Sequence, residues 1–425
     1  MRKLRQLARA LGRRSKLFRN FLQWAVYWPR KVQYQLLPGP VLRPRRVLFE
    51  AFKGRSYTCS PKSVYEHMLN DPAYSGYEFV WAMRPEKLES HAWLANQPRT
   101  TLVEHASAAH LREFKQCGYW VTNARLPEFV FPKPGQTFLQ CWHGTPLKRL
   151  GCDLEEYDAA LNTREAIVAK YVRDSHRMTW LLSPSPFATE KFRSAWNLAA
   201  VGKQDIILEL GYPRNDALAR AREDLPAATR AVRERLGIPL DKRVVLYAPT
   251  WRDNQYNPKI GLDYDLKVDF AKLRAALGED TVILFRVHYF IARSFDWAGF
   301  QGFIYDFSSH DDVNDLYLAA DLMITDYSSV MFDYANLGRP MVFYMYDLDE
   351  YAGSIRGFYF DLDELPGPIV RREEDLAAAI LSGLESATPY AEKYSAWRRK
   401  FNPLDDGAAT KRLVERVFTP RPDSP

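Results

Sequence analysis

From Arg46 onward the chain alternates short apolar runs with longer stretches whose apolar residues recur every three or four positions. RVLFEAF, YEFVWAM, TLVEHAS, YWVTNA, the run leading into CWHGTP, WLLSPS and ILELGYP read as strands. PKSVYEHML, opened by Pro61, the stretches Ala108 to Cys117 and Asp158 to Met178, and one starting near Pro186 read as helices. A second block of the same kind begins near Arg243. Its strands are VVLYAPTW, TVILFRVH, GFIYDF, LMITDYS and PMVFYMY, with helical stretches at Asp312 to Ala320 and Val330 to Leu337. Helices alternating with short apolar strands predict parallel sheets covered on both faces. The fold class is α/β: two doubly wound, Rossmann-like domains in series, facing across a cleft. The charged run RAREDLPAATRAVRERLGIPLDKR separates the blocks, which places the domains at 45–235 and 236–390. Beyond Pro368 the chain reads as helical and charged. A last helix from Tyr390 to Phe418, within 391–425, is expected to pack back on the first domain.

Before these blocks, residues 1–37 place Leu4, Leu7, Leu11, Phe18, Phe21, Ala25 and Trp28 on one helical face. Charge changes the reading of this segment. The whole chain carries a net charge of +7, yet Met1 to Phe49 contains thirteen Lys and Arg and no acidic residue, so the remainder is slightly acidic. That distribution argues against a nucleic-acid-binding body. A basic amphipathic helix ending in Trp24, Tyr27 and Trp28 suits an anionic membrane surface, where aromatic rings sit among headgroups. The competing reading is a helix packed on its own domain. No run of eighteen apolar residues exists to span a bilayer, and no secretory signal is read. The four cysteines, Cys59, Cys117, Cys141 and Cys152, have neither CxxC spacing nor disulfide density and read as plain thiols.

Candidate chemistry gathers at the carboxyl ends of the strands, where open α/β sheets bind ligands. His143 is the first polar group after one strand, held in a Gly144/Pro146 turn with Lys148 and Arg149 beside it. Ser183 and Ser185, and Tyr212, Arg214, Asn215 and Asp216, end two others. In the second block Pro249 and Thr250, Arg286 and His288, and Asp326, Ser328 and Ser329 hold the same place, with Asp333 one turn further on. Two hydroxyls at a helix start offer free N–H groups to a phosphate, although an ordinary serine cap fits the same pattern. Arg286 and His288, two apart in a strand, point the same way. Asp311, Asp312 and Asp315 read as helix N-terminal acids rather than a metal cluster. His67, His91, His105, His110, His176 and His310 read as structural, and neither a metal nor a cofactor is expected. No GxxxxGK[ST], no convincing GxGxxG after the first strand and no GxSxG occurs, which disfavours P-loop, dinucleotide-dependent and α/β-hydrolase chemistry.

CWHGTPLKRLG, SPSPFATEKFRSAW, GYPRND, YAPTWRDN, FRVHYF and DVNDLYLAADLMITDYSSVMFDYANLGRPMVFYMYDLDEY occur in this order between about Gln140 and Phe360. Together they resemble the CDP-glycerol glycerophosphotransferase family of teichoic-acid primases and polymerases. The resemblance implies a GT-B arrangement at the cytoplasmic face of a bacterial membrane, as a peripheral protein. The first domain would take a lipid-linked or polymeric acceptor and the second CDP-glycerol, with CMP released and no nucleic acid involved. His143 and His288 match the two histidines important in the family. By the same matching, Trp142, Gly144, Thr145, Pro146, Arg214, Pro249, Thr250, Arg286, Ser328, Ser329 and Asp333 would line the donor site. A CDP-ribitol transferase, a nucleotide-sugar glycosyltransferase of the same shape, or an inactive nucleotide-binding scaffold on the membrane are the alternatives. Turnover of CDP donors against UDP- and GDP-sugars separates them. Wall teichoic acid and capsule remain alternative products.

Overall fold

The computed structural model describes residues 16–155, 158–159, 162–250, 256–257, 261–262, 267–287, 297–349, 357–386 and 388–418. Its first sheet contains β1 (Arg43–Glu50), β2 (Glu78–Met83), β3 (Thr100–Glu104), β4 (Cys117–Thr122), β5 (Thr137–Gln140), β6 (Trp180–Ser183) and β7 (Ile207–Glu209), in the order β3-β2-β1-β4-β5-β6-β7. The second contains β8 (Arg243–Tyr247), β9 (Thr281–Phe285), β10 (Ile304–Asp306), β11 (Leu322–Thr325), β12 (Met341–Tyr344) and β13 (Ile369–Val370), in the order β10-β9-β8-β11-β12-β13. Every pairing within them is parallel. Each sheet reverses direction once, between β1 and β4 and between β8 and β11. Those reversals open the crevices in which doubly wound sheets bind ligands.

The continuous apolar runs arise because both faces of each sheet are covered. Val47 and Phe49 face one core with Trp81 and Leu139, while Leu48 faces the other with Val80, Trp120 and Phe138. Helices α2 (Cys59–Asn70), α3 (Ala108–Gln116), α4 (Arg164–Arg177) and α5 (Pro186–Ala195) cover the first sheet. Around the second are α6 (Asp216–Ala221), α7 (Leu225–Leu236), α8 (Phe270–Leu277), α9 (Val313–Ala319), α10 (Val330–Tyr334) and α11 (Leu376–Glu385).

Several boundaries differ from the sequence reading. Asp158–Ala159 pairs antiparallel with Asn162–Thr163, and α4 starts only at Arg164, where the Thr163 hydroxyl caps it by accepting from Ala166 N–H. Val232 and Ile238 lie in the core of the second domain, and Arg233 donates to the Ala319 carbonyl at 2.8 Å. Helix α7, placed in 45–235 from its sequence, therefore packs on the second sheet. Ile369–Val370 is an edge strand; two apolar residues are too short a run to show a period. The single last helix is two, α12 (Ala391–Phe401) and α13 (Ala409–Phe418), broken by Pro403 and by Gly407 at φ 87°. Trp397 of α12 stacks on Phe332 of the second domain at 5.0 Å. Helix α13 packs into the core of the first domain through Leu413, Val414, Val417 and Phe418, while Phe401 of α12 meets Phe187 of α5 edge-on at 4.8 Å. Between these helices Asp405 accepts from Asn215, Asn336 and Asn402 at 2.8–2.9 Å, tying both domains to the return crossing.

The N-terminal segment is described from Lys16, and α1 spans Lys16–Leu36, running through Pro29. Tyr27 and Tyr34 pack on Phe129 of the first domain, and Lys115 Nζ donates to the Leu37 carbonyl at 2.6 Å. Trp24 and Trp28 remain 57% and 40% exposed, so the helix is docked on one side and apolar on another. No described helix is long and apolar enough to cross a membrane.

Candidate active site at the facing strand ends

His143 is delivered by the chain leaving β5. Cys141 N–H bonds the Thr122 carbonyl at 2.8 Å, prolonging the pairing with β4. Trp142 then adopts left-handed backbone at φ 50°, uncommon for a bulky side chain and a mark of a functional turn where it occurs. Its N–H is taken by Gln140 Oε1 at 2.9 Å and its ring is buried edge-on against Trp196. His143 Nδ1 lies 2.8 Å from the Asn123 carbonyl, just beyond β4. A carbonyl only accepts, so Nδ1 carries the proton and Nε2 keeps its lone pair. Asn123 Oδ1 in turn accepts from Phe52 N–H at 2.7 Å, and the Phe52 ring stands 5.8 Å from that of His143. The chain ends beyond β1, β4 and β5 thus converge on one imidazole. Its face is open to solvent, but it sits deep between protein walls. That crowding outweighs the bond to Asn123 and, with the charges of Arg214 and Arg125, lowers its pKa to about 4.

The next residue touches the other domain. A Cβ on Gly144 would meet Ser329 Oγ at 2.5 Å, so only glycine permits this approach. Thr145 and Pro146 are buried behind it. The strand-end segment continues across the interface: Tyr359 N–H bonds the Leu147 carbonyl at 3.0 Å and Arg149 N–H the Gly357 carbonyl at 2.9 Å. The Arg149 guanidinium pairs with Glu155, so it is not offered to the cleft.

On the facing side, Asp326 Oδ1 accepts from Thr250 N–H at 2.8 Å and Tyr327 N–H at 2.6 Å, which joins the chain ends beyond β8 and β11. Pro249, Thr250, Ser328 and Ser329 are partly exposed there. Ser329 makes no side-chain cap, leaving its hydroxyl available. Helix α10 is only five residues long, so hydroxyls and amide N–H groups, rather than a sizeable dipole, supply the donors at this edge. Arg286, one residue beyond β9, donates through Nη1 to the carbonyls of His310 at 2.7 Å and Phe307 at 3.3 Å. Burial lowers its pKa despite the nearby Asp311, Asp312 and Asp315.

The family model for CDP-Glycerol:Poly(glycerophosphate) glycerophosphotransferase matches residues 32–419. The chain belongs to this family. It is 38% identical over 384 residues to a teichoic acid poly(glycerol phosphate) polymerase of Bacillus subtilis strain 168, covering 89% of this chain and 49% of that protein. It is 36% identical over 373 residues to a teichoic acid glycerol-phosphate transferase of Staphylococcus aureus strain NCTC 8325, covering 88% of this chain and 92% of that one. The chain thus spans about half the length of the Bacillus subtilis polymerase and nearly all of the Staphylococcus aureus transferase. A histidine-to-alanine variant of the wall teichoic acid polymerase TagF superposes with a TM-score of 0.80 at 34% identity, over 95% of this chain and 97% of that one. A histidine-to-asparagine variant of TagF soaked with CDPG gives a TM-score of 0.81 at 35% identity, over 94% of this chain and 96% of that one.

For a member of this family, the two strand ends bring together some of the residues singled out by motif. His143, Gly144, Ser328 and Ser329 meet at the cleft; His288 lies outside the described residues. Arg214 and Asp333 are instead buried together, Nη2 to carboxylate at 2.8 Å, one from each domain. Burial disfavours the guanidinium charge, and Asp333 overrides it, so the Arg214 pKa is raised. Ser185 caps α5, and the Ser183 hydroxyl donates to the Ser185 carbonyl at 3.1 Å, so both serve local structure. Asp216 accepts from Ala409 and Thr410 N–H at 3.0 and 2.8 Å, anchoring α13.

Two groupings escaped the sequence reading. Asp311 reaches the first domain, 2.7 Å from Lys87 and 2.6 Å from His91 Nε2, and Asp312 lies 2.7 Å from Lys62. These acids latch the domains together, beyond any role at the start of α9, and His91 is part of the latch. His105 and His110, also read as lacking convergent partners, meet at Glu50, 3.3 and 3.4 Å from its Oε2. Residues 55 and 60 positions apart give no local pattern by which to foresee it.

Proposed function

We propose that this chain transfers glycerol phosphate from CDP-glycerol to a hydroxyl of a lipid-linked or polymeric acceptor, releasing CMP, in teichoic-acid synthesis. The observation that carries this reading is the contact of Gly144 with Ser329, which sets a histidine with a free Nε2 against the hydroxyl-rich strand end of the other domain. In the reaction, the acceptor oxygen forms a bond to the β-phosphorus and the bond from that phosphorus to the bridging oxygen breaks. CMP leaves with the electron pair, and the acceptor proton passes to His143 Nε2. A neutral imidazole suits that acceptance, and an anion arriving beside it offsets Arg214 and Arg125, raising its basicity. Ser328, Ser329, Thr250 and Arg286 would hold the diphosphate as charge moves onto the leaving CMP, with His288, matched by motif, beside Arg286. Arg214 and Asp333 would position the two strand ends.

The relatives bearing glycerol phosphate names support the donor, and the exposed Trp24 and Trp28, with Arg30 and Lys31 beside them, support a peripheral site on an anionic membrane surface at its cytoplasmic face. The test is acceptor-dependent release of CMP by purified protein given CDP-glycerol or CDP-ribitol, with a short glycerol-phosphate acceptor. Release from CDP-glycerol alone is expected. Turnover of a UDP- or GDP-sugar with neither CDP donor used would overturn the assignment.

A further inference from the structure

The turn leaving β1 winds left-handed through Phe52, Lys53 and Gly54, at φ 48°, 59° and 71°. A Cβ on Gly54 would stand 2.9 Å from the Ala82 carbonyl and 3.0 Å from His105 Cβ, so the turn is pressed against β2 and the chain beyond β3. It is also pinned: Arg84 N–H bonds the Gly54 carbonyl at 2.7 Å, and Arg84 Nε the Lys53 carbonyl at 3.0 Å. Non-glycine residues keep such backbone only where their surroundings over-determine it, and such sites cluster around ligands. The result is to place Phe52 against His143 and to present Lys53 to solvent beside Arg55, with Arg84 and Arg125 nearby.

These four cations gather around the turn beyond β1, beside the crevice of the first domain. Arg125 is paired with Asp174, and Arg84 has Glu86 at 3.9 Å. Lys53 and Arg55 have no ion pair among the described residues, and Arg55 Nε is buried without a hydrogen-bond partner. Crowding lowers the Lys53 pKa, Glu50 beneath it opposes this, and Arg55, Arg125 and Arg84 add to the lowering. The grouping of Glu50, His105 and His110 has the ligand types of a metal site. However, His110 Nδ1 accepts from Ala106 N–H at 2.9 Å, so its proton is on Nε2, facing Glu50. A protonated Nε2 has no lone pair for a cation. The cluster is therefore a buried carboxylate held beneath Lys53, and the net charge facing the crevice is positive.

We propose that Lys53 and Arg55 form a subsite for a phosphate group of the acceptor, flanked by Arg84 and Arg125. This rests on the transferase reading above. A glycerol-phosphate terminus carries its free hydroxyl within a few bonds of its phosphate, so a hydroxyl at His143 brings that phosphate to the neighbouring turn. The donor diphosphate is met by the second domain and the acceptor phosphate by the first. Selection of a phosphorylated acceptor over a bare alcohol or water follows from this division.

The test compares full-length wild type with Lys53→Gln and Arg55→Gln, using a soluble glycerol-phosphate acceptor and an alkyl glycerol lacking the phosphate. The expected result is an acceptor KM raised about tenfold for the phosphorylated acceptor, with the CDP-glycerol KM and the phosphate-free acceptor unaffected. A rise in the donor KM, or equal effects on both acceptors, would overturn the subsite. Titration with glycerol 3-phosphate in saturating CMP reads the same site without turnover. Binding weakened about tenfold by Lys53→Gln supports the subsite even if no CDP donor is used, and undiminished binding sinks it even if CDP-glycerol is turned over.

Discussion

Arg214 and Asp333, contributed by different domains, form a buried ion pair with Nη2 2.8 Å from the carboxylate. Removing one partner strands the other charge in a dry interface, whereas removing both does not. Asp333→Ala is expected to cost about 3–5 kcal/mol. Arg214→Met with Asp333→Leu should cost less than the single change, and urea unfolding of both variants checks the order.

His143→Gln keeps a polar side chain at the cleft but removes the imidazole. CMP release is expected to fall about 10²–10⁴-fold, while stability changes by no more than about 1.5 kcal/mol, the order of one hydrogen bond. His288→Ala is expected to lose turnover similarly. Because the free imidazole has its pKa lowered to about 4 and bound phosphates oppose that lowering, the acid limb of kcat should lie at higher pH than that of kcat/KM. Coincident limbs would count against His143 as the base.

Gly144→Ala drives a methyl group into Ser329 and forces the strand ends apart. A displacement of that size at a reacting pair is expected to lower turnover about 10²-fold. Gly144→Ala combined with Ser329→Gly relieves the clash and should recover part of the loss in a steady-state assay. A double variant no better than Gly144→Ala would show that the approach is not what glycine serves there.

Stability should fall in mild acid. His110 is buried with its pKa lowered to about 4, so the neutral ring is favoured by the fold and the unfolded ring protonates first. That contribution is present above about pH 6.5 and is lost as pH falls through about 4, amounting to about 3 kcal/mol. Glu50, whose pKa is also lowered by its histidines, pushes the same way at lower pH. Denaturant titrations between pH 7 and 4 give the slope, and His110→Gln should flatten it.

Trp24 and Trp28 are exposed among the described side chains of α1, with Lys31 Nζ 4.5 Å from the Trp28 ring. Replacing both tryptophans with serine is expected to reduce co-flotation with anionic vesicles by about tenfold, without loss of activity toward a soluble acceptor. Unchanged flotation would remove this face from the membrane contact.

The strands were legible because sheets covered on both faces leave uninterrupted apolar runs such as Val244–Leu246 and Val282–Phe285. The cleft was legible for a related reason: polar residues such as His143 and Ser328 stand where those runs end. What escaped depends on contacts between distant segments. Asp311 looks like any acid near a helix start until Lys87 and His91 are brought to it, and Arg214 gives no local sign of its partner Asp333 in the other domain. Pro403 and Gly407 mark the break between α12 and α13, but what anchors it is Asp405 meeting three asparagines, two of them far away in sequence.

Helix α13 follows the entire second domain in sequence, yet Leu413, Val414, Val417 and Phe418 fill the core of the first. During synthesis the first sheet emerges with that side uncovered, and it stays so until the second domain has been translated. The first domain cannot complete its core until the second has been synthesised, a delay in which a chaperone would find the bare face.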